Sequence, residues 1–357
     1  MRVGILTFHI AINYGAVLQC YALQEILRKM GHDTFVINYQ QPYIIEQFKP
    51  RRLIGVRSFI RALIERKLND YFYKGFIPYI KKYNFERFRR NFLNETYKCY
   101  DSSDIPKFDL YIVGSDQPWN PYLTGGVDLI YWGQFKRPIE SRLVTYGMSG
   151  SESVIEKIGW EKVSEYCNSF DKLSFREEGL TCKISNLIGR HCSTVLDPTI
   201  IADANLWEPM INQKWKKRKY ILIYHVGAPE KVLDSIYNNA KQLAKLKNLE
   251  IIDASRYIYT PSDFVSLIKY ARYVITASFH AMIFAIIFKK SFVVAKTGQP
   301  SDVRFENLLG ILGIDDICLK NLDSEFVPLK PDYDEVNKKF SVMRESSYNY
   351  LKTITDL

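Results

Sequence analysis

Short apolar runs alternate with amphipathic helical stretches through most of the chain. That alternation restricts the fold most, because parallel strands need crossover helices between them. Residues 3–8 read as the first strand. A helix over 16–30 follows, with Leu18, Ala22, Ile26 and Met30 on one face and Gly31 as its stop, and residues 34–38 form the second strand. Further strands are expected at 109–113, 142–146, 172–175 and 194–196. A second series starts at 220–225 and continues through 250–253, 273–276 and 292–295, with helices between these strands. The expectation is an α/β protein of two consecutive domains facing one cleft. The N-terminal domain covers 1–205, the C-terminal domain 206–330, and a last helix over 331–357 packs back on the first domain.

Residues 45–100 interrupt this alternation as a helical insertion. Thirteen Lys/Arg and three Asp/Glu lie between Lys49 and Arg90, an excess equal to the +10 net charge of the whole 357-residue chain. Phe85, Phe88 and Phe92 fall on one helical side, with Arg87, Arg89 and Arg90 elsewhere. Two readings stand: a solvated face with its aromatics packed inward, or a surface resting on an anionic membrane, where each nearby Lys or Arg contributes about 1 kcal/mol. No apolar run reaches the roughly 18 residues of a membrane span, and the chain enters its first strand directly. The expected location is the cytoplasm, peripheral on the inner membrane face in the second reading. The six cysteines form no Cys-x-x-Cys, and the histidines show no metal-ligand spacing beyond His191-Cys192, so reduced thiols and no metal are expected. The insertion matches no nucleic-acid module, and no nucleic-acid partner is expected.

Polar motifs sit just past strands, where open parallel sheets bind ligands. After strand 273–276 come two small residues, and His280 then opens an apolar helix. Such a helix start offers unpaired N–H groups and a positive dipole end to a phosphate or carboxylate, beside an imidazole suited to general acid–base work. The plainer reading is a His that caps or packs. Arg176 directly follows its strand and Arg304 lies in Pro300-Ser-Asp-Val-Arg-Phe305. Guanidinium groups suit bidentate capture of carboxylate or phosphate, with Lys296 a weaker candidate and ordinary ion pairs the plainer account. Gly114-Ser-Asp116-Gln117-Pro-Trp119-Asn120 is either a sugar-binding loop or a turn with a packing Trp. Asn13-Tyr14-Gly15 is equally open, and without Gly-x-Gly-x-x-Gly or a Walker loop no dinucleotide or ATP site is expected. Asp197-Pro198 reads as a strand end and turn with a structural role.

Taken as a set, the motifs resemble the polysaccharide pyruvyl transferase family. The matching segments are Asn13-Tyr-Gly-Ala-Val-Leu-Gln19, Val113-Gly-Ser-Asp-Gln-Pro-Trp-Asn120, Ser174-Phe-Arg-Glu177, Leu196-Asp-Pro-Thr199 and Thr276-Ala-Ser-Phe-His-Ala281, in the family's order across residues 3–310. The resemblance implies two Rossmann-like domains in the GT-B arrangement. It implies phosphoenolpyruvate as co-substrate with no further cofactor, and as acceptor a sugar hydroxyl pair on a capsular or exopolysaccharide precursor, a polyprenyl-diphosphate-linked glycan among the candidate partners. By the same resemblance His280 falls at the family's donor-site histidine and Arg176 at an arginine that holds phosphoenolpyruvate; on the residues themselves His280 is expected to be catalytic, Ser278 to contact the donor, and Asn13, Tyr14, Gly15, Asp116, Gln117 and Trp119 to lie on the acceptor side. One departure stands out: many members carry Arg-Leu-His where this chain has Ser278-Phe279-His280. The missing positive charge then falls to Arg304 or, second, to Lys296. A nucleotide-sugar glycosyltransferase and a non-catalytic glycan-binding protein on the same fold are the alternatives.

Overall fold

A computed structural model describes residues 1–49, 68–255, 259–299, 302–319 and 326–356, with the side chains of the helix that starts at residue 68 described from residue 77. Residues 50–67, a large part of the basic stretch expected to face a membrane, lie outside the described residues. The chain divides into two compact units, Met1–Ser193 with Ile258–Pro261, and Thr194–Tyr257 with Ser262–Leu357. The division falls at Ser193/Thr194 rather than after residue 205.

The first unit is built on a parallel sheet of β1 (Arg2–Leu6), β2 (Asp33–Tyr39), β3 (Glu95–Cys99), β4 (Leu110–Val113) and β5 (Arg142–Thr145), in the order β3-β2-β1-β4-β5. The central β1 pairs Val3 with Thr34 on one side and with Leu110 on the other. Bridges from Val144 to Lys172 and from Met148 to Phe175 carry the layer on to the short pair β6 (Ser174–Phe175) and β7 (Ser193–Thr194). Strand β3 corrects the expectation of a wholly helical insertion. Its sequence, Glu-Thr-Tyr-Lys-Cys, lacks an apolar run because it is an edge strand buried fully only at Cys99.

Within the same insertion, helix Leu68–Phe92 buries Phe85 and Phe88. Phe85 stacks on Tyr14 with ring centroids 5.2 Å apart, and Phe88 stacks on Phe92 at 4.8 Å with Tyr21 against its edge. Aromatics packed inward therefore describe this end of the insertion. Arg87 and Arg90 are exposed, but Arg89 turns inward, its Nε 3.3 Å from Glu95 Oε1.

The second unit has a parallel sheet of β8 (Tyr220–His225), β9 (Glu250–Asp253), β10 (Tyr273–Ala277), β11 (Ser291–Ala295) and β12 (Cys318–Leu319), in the order β12-β11-β10-β8-β9. Strand direction of travel reverses between β1 and β4 in the first sheet and between β8 and β10 in the second. Such reversals open a crevice beyond the carboxyl ends of the flanking strands, where doubly wound sheets take their ligands. After β10, helix Phe279–Ile287 is buried at every position from Ala281 to Ile286. Its unbroken apolar sequence requires that, since such a helix has no face to offer water.

Helix Tyr333–Thr355 also belongs to this unit. Ser347 Oγ accepts from the Leu196 N–H at 2.9 Å and Arg344 Nε donates to the Ile200 carbonyl at 2.6 Å. The closing helix thus packs on Leu196 and Ile200, residues expected in the domain 1–205 that fold with the second unit. Among the described residues, no helix is long and apolar enough to cross a membrane.

Candidate functional site

Strand β10 ends at Ala277, opposite His225, the last residue of β8. A buried hydroxyl shapes the turn that follows: Thr276 Oγ1 donates to the Tyr224 carbonyl and accepts from the Ser278 N–H at 3.0 Å. Ser278 is the extended N-cap of helix Phe279–Ile287, and its side chain makes no capping bond to the first turn. His280 stands in that turn with 13% of its side chain exposed, its Nε2 3.4 Å from Asp197 Oδ2. The Asp197 side chain is fully buried, and its Oδ1 accepts from the Thr199 N–H at 2.8 Å and from Thr199 Oγ1 at 2.6 Å. Asp197 thus shapes the turn with one oxygen, as expected of a strand end, and faces the imidazole with the other.

Arg304, in the first turn of helix Val303–Leu312, holds its guanidinium carbon 5.7 Å from the centroid of the Phe279 ring. It therefore stands beside the turn that carries His280. Lys296, just after β11, is instead taken up by an ion pair with Glu306, whose hydrogen bond raises the lysine above its usual 10.5. Of the residues expected to meet the donor, Ser278, His280 and Arg304 gather around one helix start. The motif reading missed a neighbouring group at the ends of β8 and β9. There the Tyr237 hydroxyl donates to the Asp253 carboxylate and lies 3.5 Å from His225 Nε2. The available signal was the place of His225 and Asp253 as the last residues of two strands.

Arg176 belongs to the first unit. Its Nε and Nη2 donate to Ser115 Oγ at 2.9 and 2.5 Å, and Nη1 lies 3.9 Å from Asp116 Oδ1. The Arg176 side chain is only 6% exposed. Ser115 Oγ in turn donates to the Gly147 carbonyl at 2.9 Å, and Glu177 accepts from Ser149 Oγ at 2.7 Å and from the Gly150 N–H at 3.3 Å. The loops after β4 and β5 are thus tied to the Arg176-Glu177 step. An arginine expected at the donor and an aspartate expected at the acceptor form one charged centre.

The other acceptor-side expectations fare differently. Trp119 is 2% exposed, donates from Nε1 to the Tyr131 carbonyl at 2.8 Å and stacks on Trp132 with centroids 3.8 Å apart. A ring covered in this way builds core and cannot serve as a sugar platform. Gln117 Oε1 accepts from Asn120 Nδ2 at 2.8 Å, and Asn120 caps the short helix Pro121–Thr124. Asn13 caps helix Tyr14–Lys29 through the Ala16 N–H, while Tyr14 and Gly15 are buried in its first turn. The acceptor reading is corrected for Trp119, whose ring is covered by Trp132, while Tyr14 and Gly15 are buried at the start of their helix. Also in the first unit, the fully buried His9 has Nε2 3.4 Å from Asn38 Oδ1 and 3.6 Å from Glu95 Oε1, with Nδ1 3.2 Å from the Thr7 carbonyl. Burial lowers its pKa from the ordinary 6.5, outweighing the attraction of Glu95.

Two Rossmann-like units of five parallel strands define an α/β protein of the GT-B-like class. The structure is similar to UDP-GlcNAc 2-epimerase from Methanocaldococcus jannaschii, at 10% identity over 100% of both chains with a TM-score of 0.50. It is also similar to the spinosyn rhamnosyltransferase SpnG, at 10% identity over 100% of this chain and 96% of that one, TM-score 0.41. A third likeness is to the E. coli heptosyltransferase WaaC with ADP-2-deoxy-2-fluoro heptose, at 10% identity over 83% of this chain and 88% of that one, TM-score 0.34. At this level of identity the likeness is one of fold. No curated protein matches the sequence. The family model for polysaccharide pyruvyl transferase matches residues 13–296, most of the chain, and the protein belongs to that family. The match takes in Asp116, Arg176, Asp197 and His280 and ends at Lys296, before Arg304.

Proposed function

We propose that the protein transfers the pyruvyl group of phosphoenolpyruvate to two hydroxyls of one sugar, forming a cyclic pyruvate ketal on a capsular or exopolysaccharide precursor. The observation that carries this reading is His280 in the first turn of a helix leaving the reversal point of the second sheet, with Arg304 beside it. Membership of the pyruvyl transferase family supports it.

Phosphoenolpyruvate brings a carboxylate and a phosphate, which suit a helix N-terminus and a guanidinium group. In the reaction the methylene carbon takes up a proton and the neighbouring carbon becomes electrophilic. One sugar hydroxyl adds there, phosphate departs, and the second hydroxyl closes the ring. Two carbon–oxygen bonds to the sugar form and one to phosphate breaks. The two hydroxyl protons balance one gained by carbon and one leaving with phosphate, so the step calls for no oxidant or reductant. His280 carries protons between these positions, since an imidazole can both accept and donate one.

The test is incubation with phosphoenolpyruvate and a panel of glycans, following phosphate release and the mass of the acceptor. The expected result is both phosphate release and a pyruvate adduct, each abolished by His280→Ala in a variant that still folds. Saturable binding of a nucleotide sugar with no response to phosphoenolpyruvate would replace this reading with that of a glycosyltransferase.

A further inference from the structure

We propose that Asp197 is the positioning residue of His280, its buried carboxylate holding the ring with the proton on Nε2 so that Nδ1 is the nitrogen left to accept a proton from substrate. The consequence for turnover rests on the reading of His280 given above. The orientation of the ring does not.

An ionised Asp only accepts hydrogen bonds, so a ring nitrogen 3.4 Å from Asp197 Oδ2 is favoured as the protonated one. In a neutral imidazole the proton on one nitrogen leaves the other as the acceptor. Asp197 is itself held on several sides. Its Oδ1 is engaged by Thr199, Pro198 sets the first position of helix Pro198–Ile201, and helix Tyr333–Thr355 grips both flanks of the turn through Ser347 to Leu196 and Arg344 to Ile200. A fully buried carboxylate on so fixed a turn can orient a ring and also stabilise the imidazolium formed when Nδ1 takes a hydroxyl proton. This is the division of labour between an orienting acid and a working His.

Asp197→Asn separates the two functions of the side chain. Asn caps as well as Asp, so the Thr199 turn is kept while the charge is lost. The expected result is an unchanged melting temperature, a KM for phosphoenolpyruvate within about threefold of wild type, and a kcat lower by about 100- to 10,000-fold. Ring nitrogen NMR on the free protein, assigned with His280→Gln, gives a second readout that needs no turnover: Nε2 carries the proton in wild type, and the preference is lost in Asp197→Asn. A near-wild-type kcat in Asp197→Asn, or a wild-type ring with its proton on Nδ1, overturns the proposal. If wild type does not consume phosphoenolpyruvate while the tautomer depends on Asp197 as stated, the reaction assignment fails and the positioning role stands.

Discussion

Replacing Gly114 by alanine tests whether close backbone approach sets the loop that holds Arg176. Gly114 has φ +109°, and an added Cβ would lie 2.5 Å from the Tyr146 carbonyl oxygen and 3.1 Å from Met148 Sδ. The carbonyl cannot yield easily, because the Tyr146 N–H is bonded to the Val113 carbonyl at 3.0 Å and ties the ends of β4 and β5 together. The backbone conformation costs about 1–3 kcal/mol for a residue with a side chain. Forcing in a methyl group adds about 1–3 kcal/mol of overpacking, for a sum of about 2–6 kcal/mol.

Gly159 provides the control, since it has φ +92° but nothing within 4 Å of its added Cβ. Gly159→Ala should therefore show the backbone cost alone, and the difference between the two variants, about 1–3 kcal/mol, isolates the contact. In a unit of this size each kcal/mol lowers the melting temperature by about 2–4 °C, which differential scanning calorimetry resolves. Gly114→Ala should also lose more activity than Gly159→Ala, because Ser115 and Asp116 lie directly beyond the displaced bond and hold Arg176. Equal melting temperatures for the two variants would refute the steric argument.

Three further outcomes follow from named contacts. Arg304→Ala should raise the KM for phosphoenolpyruvate about 10- to 100-fold, the loss of one charge-assisted bond worth about 1.5–3 kcal/mol. Lys296→Ala should change it by less than about fivefold, because this half-exposed lysine is already paired with Glu306 and such pairs contribute about 0–1 kcal/mol. Phosphate-release kinetics on both variants decide between them, and the reverse ranking would give the donor charge to Lys296. Buried His9, held below its ordinary 6.5, binds its proton less readily in the folded than in the unfolded chain. Stability present above pH 6.5 is therefore lost as pH falls through that value, by up to about 1.4 kcal/mol per pH unit. Urea denaturation of wild type and His9→Gln between pH 7.5 and about pH 5 should give a shallower pH slope for the variant. Trp119→Ala should cost about 3–5 kcal/mol as a core truncation. Loss of acceptor binding without loss of stability would restore its role as a sugar platform.

The helix start at His280 was legible because its signal is local: a strand end, small residues, and an apolar run long enough to demand burial on every side. The basic stretch was legible as a charge excess, yet the orientation of its arginines was not. Arg89 and Arg87 look alike in sequence, and only the arrival of edge strand β3 with Glu95 turns one inward. Trp119 illustrates the same limit. Its loop composition fits a sugar platform or a core equally well, and Trp132 and the Tyr131 carbonyl, which take up the indole, lie beyond the motif.

By itself the sequence determined the α/β class, the succession of strands and helices, and the placing of polar motifs at strand ends, because hydrophobic periodicity is written residue by residue along each element. The tertiary structure alone decided the order of strands in each sheet and with it the reversal points. It brought Asp197 to His280, Arg176 to Ser115, Arg304 to the ring of Phe279 and Lys296 to Glu306. Such pairings depend on which loops the sheet order sets side by side, and that order comes from packing across the whole unit, which no local window of sequence contains.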